Sequence, residues 1–227
     1  MYTVEPLTAE ELLGSAERLG ELLADTVDGG ASLGFLAPLD PGAAADWWRA
    51  LAPDIGAGRL LLWVARPAAG AVSGSDADSG SGSGAGAGSD AGRRIAGTVQ
   101  LRPASTANGR HRAEVAKLMV HRADRGRGLA GRLLAALETA AAGRGIRTLV
   151  LDTETDSPAE RLYAAAGWTR VGTVPDFATD PTGAPHATTI YFKAVKAVKE
   201  IKALPVTAGT TDTTGPASAG RTAASLR

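Results

Sequence analysis

Apolar positions early in the chain recur every three or four residues. Leu12, Ala16, Leu19, Leu22 and Leu23 share one face of a predicted helix. Thr8-x-x-Glu11 sets a capping box in front of that stripe, and Gly29-Gly30 stops it. Asp40-Pro41 pairs an N-cap residue with proline at the first helical position, so a second helix runs through Trp47 and Trp48 toward Pro53. Short apolar runs at 60–65, 95–101 and 113–120 read as strands. A polar turn follows, then a helix with Leu129, Leu133, Leu134 and Leu137 on one face that ends near 143–145. Residues 146–151 form a buried strand, Ser157-Pro-Ala-Glu160 is a second capping box, and a short helix over 160–166 stops at Gly167. Strands at 169–174 and 188–195 complete the order βααβββαβαββ, an α/β domain with a mixed sheet.

Two stretches break the pattern. Residues 67–92 contain no Leu, Ile, Phe, Tyr or Trp, so they bury too little apolar surface to offset the entropy of ordering, and a flexible connection between hairpin strands is expected. The segment 203–227, rich in Ala, Gly, Ser and Thr, is expected to be a disordered tail. One domain over 1–195 remains.

The chain has no Cys, which excludes a disulfide scaffold, a Cys-ligated metal and a cysteine nucleophile. His111, His121 and His186 have no helical-pair spacing, so no metal site is expected. The N-terminus has neither a basic leader nor an apolar core segment, and the longest apolar run, Leu60–Ala65, is far too short to span a bilayer. A soluble cytoplasmic protein without membrane contact is expected. The 24 basic residues balance the 24 acidic ones, which argues against general nucleic-acid binding.

The balance is not uniform. Seven Arg or Lys stand against two acids between Arg110 and Arg132, where a strand delivers a Gly- and Arg-rich turn onto a helix start. Unpaired N–H groups and the positive dipole end there suit a ligand with several phosphates. Gly126-x-Gly128-x-x-Gly131 matches the dinucleotide fingerprint, with Asp152 ending the next strand. However, five residues separate Val120 from the first glycine, where a dinucleotide turn follows its strand almost at once. No Gly-Lys-Ser/Thr appears, so a Walker loop is excluded. Gly30-Ala31-Ser32-Leu33-Gly34 satisfies the serine-hydrolase formula, but it follows a helix where a nucleophile elbow needs a strand.

Arg125-x-x-Gly128-x-Ala130 resembles the pyrophosphate-binding turn of the GNAT acyltransferases. The resemblance extends to the strand ending Lys117-Leu118-Met119-Val120, to Glu138 on the following helix, and to Leu162-Tyr163-x-x-x-Gly167-Trp168, in that superfamily's order. Residues 26–35, 60–64, 113–120, 151–154 and 190–193 are similar to the tabtoxin-resistance type in particular. The long 67–92 segment and the tail depart from it. The resemblance implies a mixed, mostly antiparallel sheet flanked by helices and splayed between its fourth and fifth strands, with acetyl-CoA as cosubstrate.

The resemblance assigns roles residue by residue. The pyrophosphate would lie on the amides of Arg125, Gly126, Arg127, Gly128, Leu129, Ala130 and Gly131, and the pantetheine arm along Leu118, Met119 and Val120. Ser157 stands near where relatives place a coenzyme-contacting Asn. Glu114 and Asp152 are candidate bases, with a salt bridge to Arg112 or Lys117 and a helix cap as their respective alternatives. Tyr163 matches the tyrosine that protonates the thiolate, or else is a core aromatic. Ser32 and Phe35 either contact the acceptor or belong to a plain connecting loop. The implied activity is N-acetylation of a small-molecule amine by direct transfer, an amino-acid-like toxin or antibiotic being one candidate, in a monomer or homodimer. The alternatives are a coenzyme-A-binding regulatory or interaction module without turnover, and an RNA or DNA binder using the basic stretch.

Overall fold

The computed structural model describes residues 1–68 and 94–196. Strand β1 (Tyr2–Leu7) leads into helices α1 (Ala9–Asp28), α2 (Pro41–Arg49) and the single-turn α3 (Ala52–Gly56). Strands β2 (Leu61–Pro67), β3 (Gly97–Pro103) and β4 (Arg112–Val120) follow, then α4 (Leu129–Gly143), β5 (Thr148–Glu154), α5 (Pro158–Ala165), β6 (Thr169–Thr179) and β7 (Pro185–Ala194). The seven strands form one sheet in the order β1-β2-β3-β4-β5-β7-β6. Every pairing is antiparallel except β4 with β5.

Helices cover both faces of the sheet, so β2 reads as a continuous apolar run. Its Leu62 and Val64 pack with Leu12, Leu19, Leu23 and Trp48 from α1 and α2. The alternate residues Trp63 and Ala65 pack with Leu133, Leu137 and Leu149 on the α4 side. The Thr8–Glu11 capping box forms in full, and Asp40 accepts the Ala43 amide at the start of α2. Around Ser157 only half of the expected box exists. Ser157 Oγ accepts the Glu160 amide, but the Glu160 carboxylate takes the amide of Asp156, whose positive φ of 63° turns that N–H toward it.

Boundaries differ from expectation where proline sits. Strand β2 continues to Pro67, into the expected flexible segment, and the remainder of 67–92 beyond Ala68 lies outside the described residues, as does 203–227. β2 and β3 are antiparallel neighbours, so the segment between them connects adjacent strands. Strand β6 runs on through Pro175 to Thr179, and β7 begins at Pro185. Proline is tolerated there because β6 is the sheet edge and the β6–β7 register shifts between Val174 and Ala178. Among the described residues no helix is long and apolar enough to cross a membrane.

Helices α1 and α2 approach closely at Gly20. A Cβ there would lie 2.5 Å from the Pro41 carbonyl oxygen and 2.8 Å from the Ala45 nitrogen. That contact fixes where the α1–α2 connection crosses the sheet. Gly20→Ala must push two backbones apart, and overpacking of this kind costs about 1–3 kcal/mol, read as a lower urea midpoint at unchanged slope.

Candidate active site

The splay expected between the fourth and fifth strands is present. β4 and β5 pair only through Arg112–Thr148, Ala113–Leu149 and Glu114–Val150. Beyond Glu114, β4 has a partner only in β3, and that register shifts so that Lys117 and Leu118 together face Val99. The extra residue is a β-bulge, with Lys117 at a φ of 50°. A bulge bends its strand and raises the local twist, which carries β4 away from β5. The cleft between them has Leu118–Val120 along one edge and Asp152–Glu154 along the other.

The turn between β4 and α4 closes one end of the cleft. Gly126 and Gly128 both take left-handed backbone, with φ of 75° and 73°, and Gly128 is the N-cap of α4 without a side-chain cap. The first intrahelical amide is Arg132, which donates to Gly128 O. Among the described residues none of the amides of Arg125 to Gly131 donates to a protein acceptor. Seven successive N–H groups at the positive end of a 15-residue helix form a preorganised anion cradle.

The excess positive charge of this stretch is partly spent on contacts outside it. Arg122 pairs with Asp25 at 2.5 Å, Arg132 donates to Tyr2 O at 2.8 Å, and Arg127 donates to the Tyr2 hydroxyl at 2.6 Å. Among the described residues Arg125 donates to Val120 O alone, at 3.3 Å. Behind the turn lies Asp124, 2% exposed, which accepts from the Tyr2 hydroxyl and from Arg94.

Glu114 and Asp152 are exposed on the sheet face that α1 and α2 pack against, and Asp152 alternates with the buried Leu149 and Leu151 of the opposite face. Neither carboxylate forms a hydrogen bond or ion pair among the described residues, so Glu114 is paired with neither Arg112 nor Lys117. The cap of α5 is Ser157, not Asp152. The Ser157 hydroxyl also lies 3.5 Å from that of Thr153.

Tyr163 on α5 is 7% exposed and stacks edge-on against Trp168, with Tyr191 nearby. Burial, and secondarily the negative charge of Asp152, pushes its hydroxyl well above the ordinary 10.0, so it keeps its proton at neutral pH. Ser32 and Phe35 lie in the α1–α2 connection. Ser32 donates to Thr179 O at 3.3 Å, and Phe35 packs edge-on against Trp47 at 5.3 Å. Among the described residues there is no cluster of three His, Asp or Glu suited to a metal ion.

Residues 56–168 match the acetyltransferase (GNAT) family. The chain has the GNAT fold. It is similar to an N-acetyltransferase from Staphylococcus aureus (14% identity, 86% of this chain and 99% of that one, TM-score 0.62) and to the ribosomal-protein-alanine N-acetyltransferase of Brucella melitensis (18%, 85% and 99%, TM-score 0.59). It is also similar to yncA of Salmonella typhimurium, solved with its cofactor acetyl-CoA (16%, 89% and 99%, TM-score 0.59).

The residue whose setting the motif leaves out is Lys117. Its ammonium is largely buried, donates to Leu33 O at 2.7 Å, and lies over the rings of Phe35 and Trp47. Burial, then the Arg102 charge, lowers its pKa against the opposing pull of Asp152 and Glu114. The available signal in the sequence is a lysine inside the otherwise apolar stretch 115–120.

Asp124 generates the prediction for this region. Burial works against its ionised form, but the hydrogen bonds from Arg94 and Tyr2 outweigh it and hold the carboxyl below its ordinary 3.8. Its stabilisation is therefore complete above that value and lost as pH falls through the depressed one. Asp124→Ala should lower unfolding free energy at neutral pH by about 3 kcal/mol, and the gap from the parent protein should narrow in acid, as measured by urea titrations at both pH values.

Proposed function

We propose that this chain is an acetyl-CoA-dependent N-acetyltransferase that acylates a small-molecule amine by direct transfer. The observation that carries the proposal is the row of seven unpaired amides at the left-handed glycine cap of α4, opening onto the β4–β5 cleft with Tyr163 and Asp152 beside it. A pyrophosphate fits that cradle, and the unpartnered edge of Leu118, Met119 and Val120 offers an amide-bearing arm the hydrogen bonds of an added strand.

The amine nitrogen attacks the thioester carbonyl carbon, the C–S bond breaks, and an amide and a thiolate result. Asp152 or Glu114, both unpaired carboxylates on the acceptor side, takes the proton that the amine loses, directly or through water. Tyr163, whose raised pKa keeps its hydroxyl protonated, gives a proton to the departing thiolate. An amide of the Leu118–Val120 edge stabilises the developing oxyanion. The chain has no cysteine, so no thioester to the enzyme intervenes.

Ser32 and Phe35 stand in the connection above the carboxylates and are the proposed acceptor contacts. The tabtoxin-resistance resemblance supports an amino-acid-like toxin or antibiotic as acceptor, and dependence on acetyl-CoA supports a cytoplasmic location.

Enzyme and acetyl-CoA incubated with an amine panel should release free thiol and an N-acetylated product seen by mass spectrometry. Coenzyme binding with no product from any amine would instead select the non-catalytic binding module. Tyr163→Phe should lower kcat by about a hundredfold while leaving coenzyme affinity unchanged, and an unchanged rate would remove Tyr163 from the proton step. Because the raised pKa keeps the proton in place, kcat in the parent protein should not fall from Tyr163 ionisation at any pH up to 10.0.

A further inference from the structure

Lys117 occupies a backbone position that glycine would take more easily. Its φ of 50° lies in the left-handed region, where most side chains are strained, yet the residue is a lysine with its ammonium turned inward. An inward ammonium must find acceptors or π faces to replace its water. All of those it finds belong to the α1–α2 connection and the helix after it. Leu33 O accepts at 2.7 Å, and the Phe35 and Trp47 rings lie 5.6 and 5.5 Å from Nζ. A Cβ at Gly34, itself at a φ of 82°, would stand 3.8 Å from the same nitrogen, so the connection is wound around the ammonium. Trp47 is held in turn by the fully buried Trp48, at 4.9 Å between ring centroids.

The other side of the connection is fastened to the β6–β7 turn. Ala37 N donates to Pro181 O at 2.8 Å, and Ser32 Oγ donates to Thr179 O. Residues 31–39 thus form a roof spanning from the β4 bulge to the β6 end of the sheet, on the same face that carries Glu114 and Asp152. Lys117 joins the roof to the strand that borders the cleft.

We propose that Lys117 is a positioning residue. It fixes the height and register of the 31–39 roof over the acceptor side, so that acceptor affinity depends on it and coenzyme affinity does not. The acceptor half of this inference rests on the N-acetyltransferase reading, whereas the half concerning the roof does not.

Lys117→Met keeps the aliphatic stem and removes the charge and the donors. Phe35→Leu removes one π face and leaves β4 untouched. Amide hydrogen exchange at Ala37, whose N–H is held by Pro181 O, reads roof order directly. Both variants should exchange at Ala37 about tenfold faster than the parent protein at comparable melting temperature, and Lys117→Arg, which keeps a cation and a donor, should recover much of the protection. With the best amine from the panel, the altered roof position in Lys117→Met should raise the acceptor KM about tenfold, with kcat changed far less and the coenzyme Kd unchanged. Parent-like Ala37 exchange in folded Lys117→Met or Phe35→Leu would overturn the inference. So would a coenzyme Kd that weakens in step with the acceptor KM, which would put Lys117 on the donor side. If no amine in the panel is acetylated, the activity reading fails while the exchange measurement still decides whether Lys117 holds the roof.

Discussion

The site depends on the place where β4 stops pairing with β5. Three residue pairs hold the two strands together as the only parallel contact in the sheet, and then the bulge at Lys117 and Leu118 turns β4 away. Had the pairing continued, the edges of Leu118–Val120 and of Asp152–Glu154 would satisfy each other and no cleft would exist. Because it stops, two rows of backbone donors and acceptors face a gap, which is tolerable only where water or a ligand can satisfy them. The glycine turn adds its seven amides at the mouth of that gap, and the helix dipole of α4 points the same way. A single irregularity of register thus sets both the geometry and the polarity of the site.

Most of the fold is legible in the sequence because its signals are local. The Thr8–Glu11 box, the Asp40-Pro41 start and the leucine faces of α1 and α4 each specify an element through neighbours within a few residues. The short α3 and the far halves of β6 and β7 are different. Beyond Val174 strand β6 is exposed and begins with Pro175, so neither alternation nor propensity announces that half. Pairing with β7 across a shifted register makes it a strand. The Glu160 carboxylate likewise finds the Asp156 amide instead of that of Ser157, because the left-handed turn at Asp156 brings that N–H closer.

The site divides in the same way. The turn before α4 is readable because Gly126, Gly128 and the helix start are close together in the chain and glycine is what left-handed backbone requires. The surplus of charge around it is less than a count suggests, since Asp25 and Tyr2, distant in sequence, engage Arg122, Arg127 and Arg132. No reading of 110–132 alone could include those partners. The roof was visible only as an undecided connection, because what orders it are two backbone carbonyls of the β6–β7 turn and one ammonium from β4.

The electrostatics of the acceptor side follow from that ammonium. Glu114 and Asp152 share one sheet face. Lys117, set between the roof and the sheet, feels both of them, and their attraction partly offsets the cost of its own burial. Asp152 in turn adds to the burial that holds the proton on Tyr163. A lysine at the bulge that opens the cleft thus ties the electrostatics of this sheet face to the backbone irregularity on which the site depends.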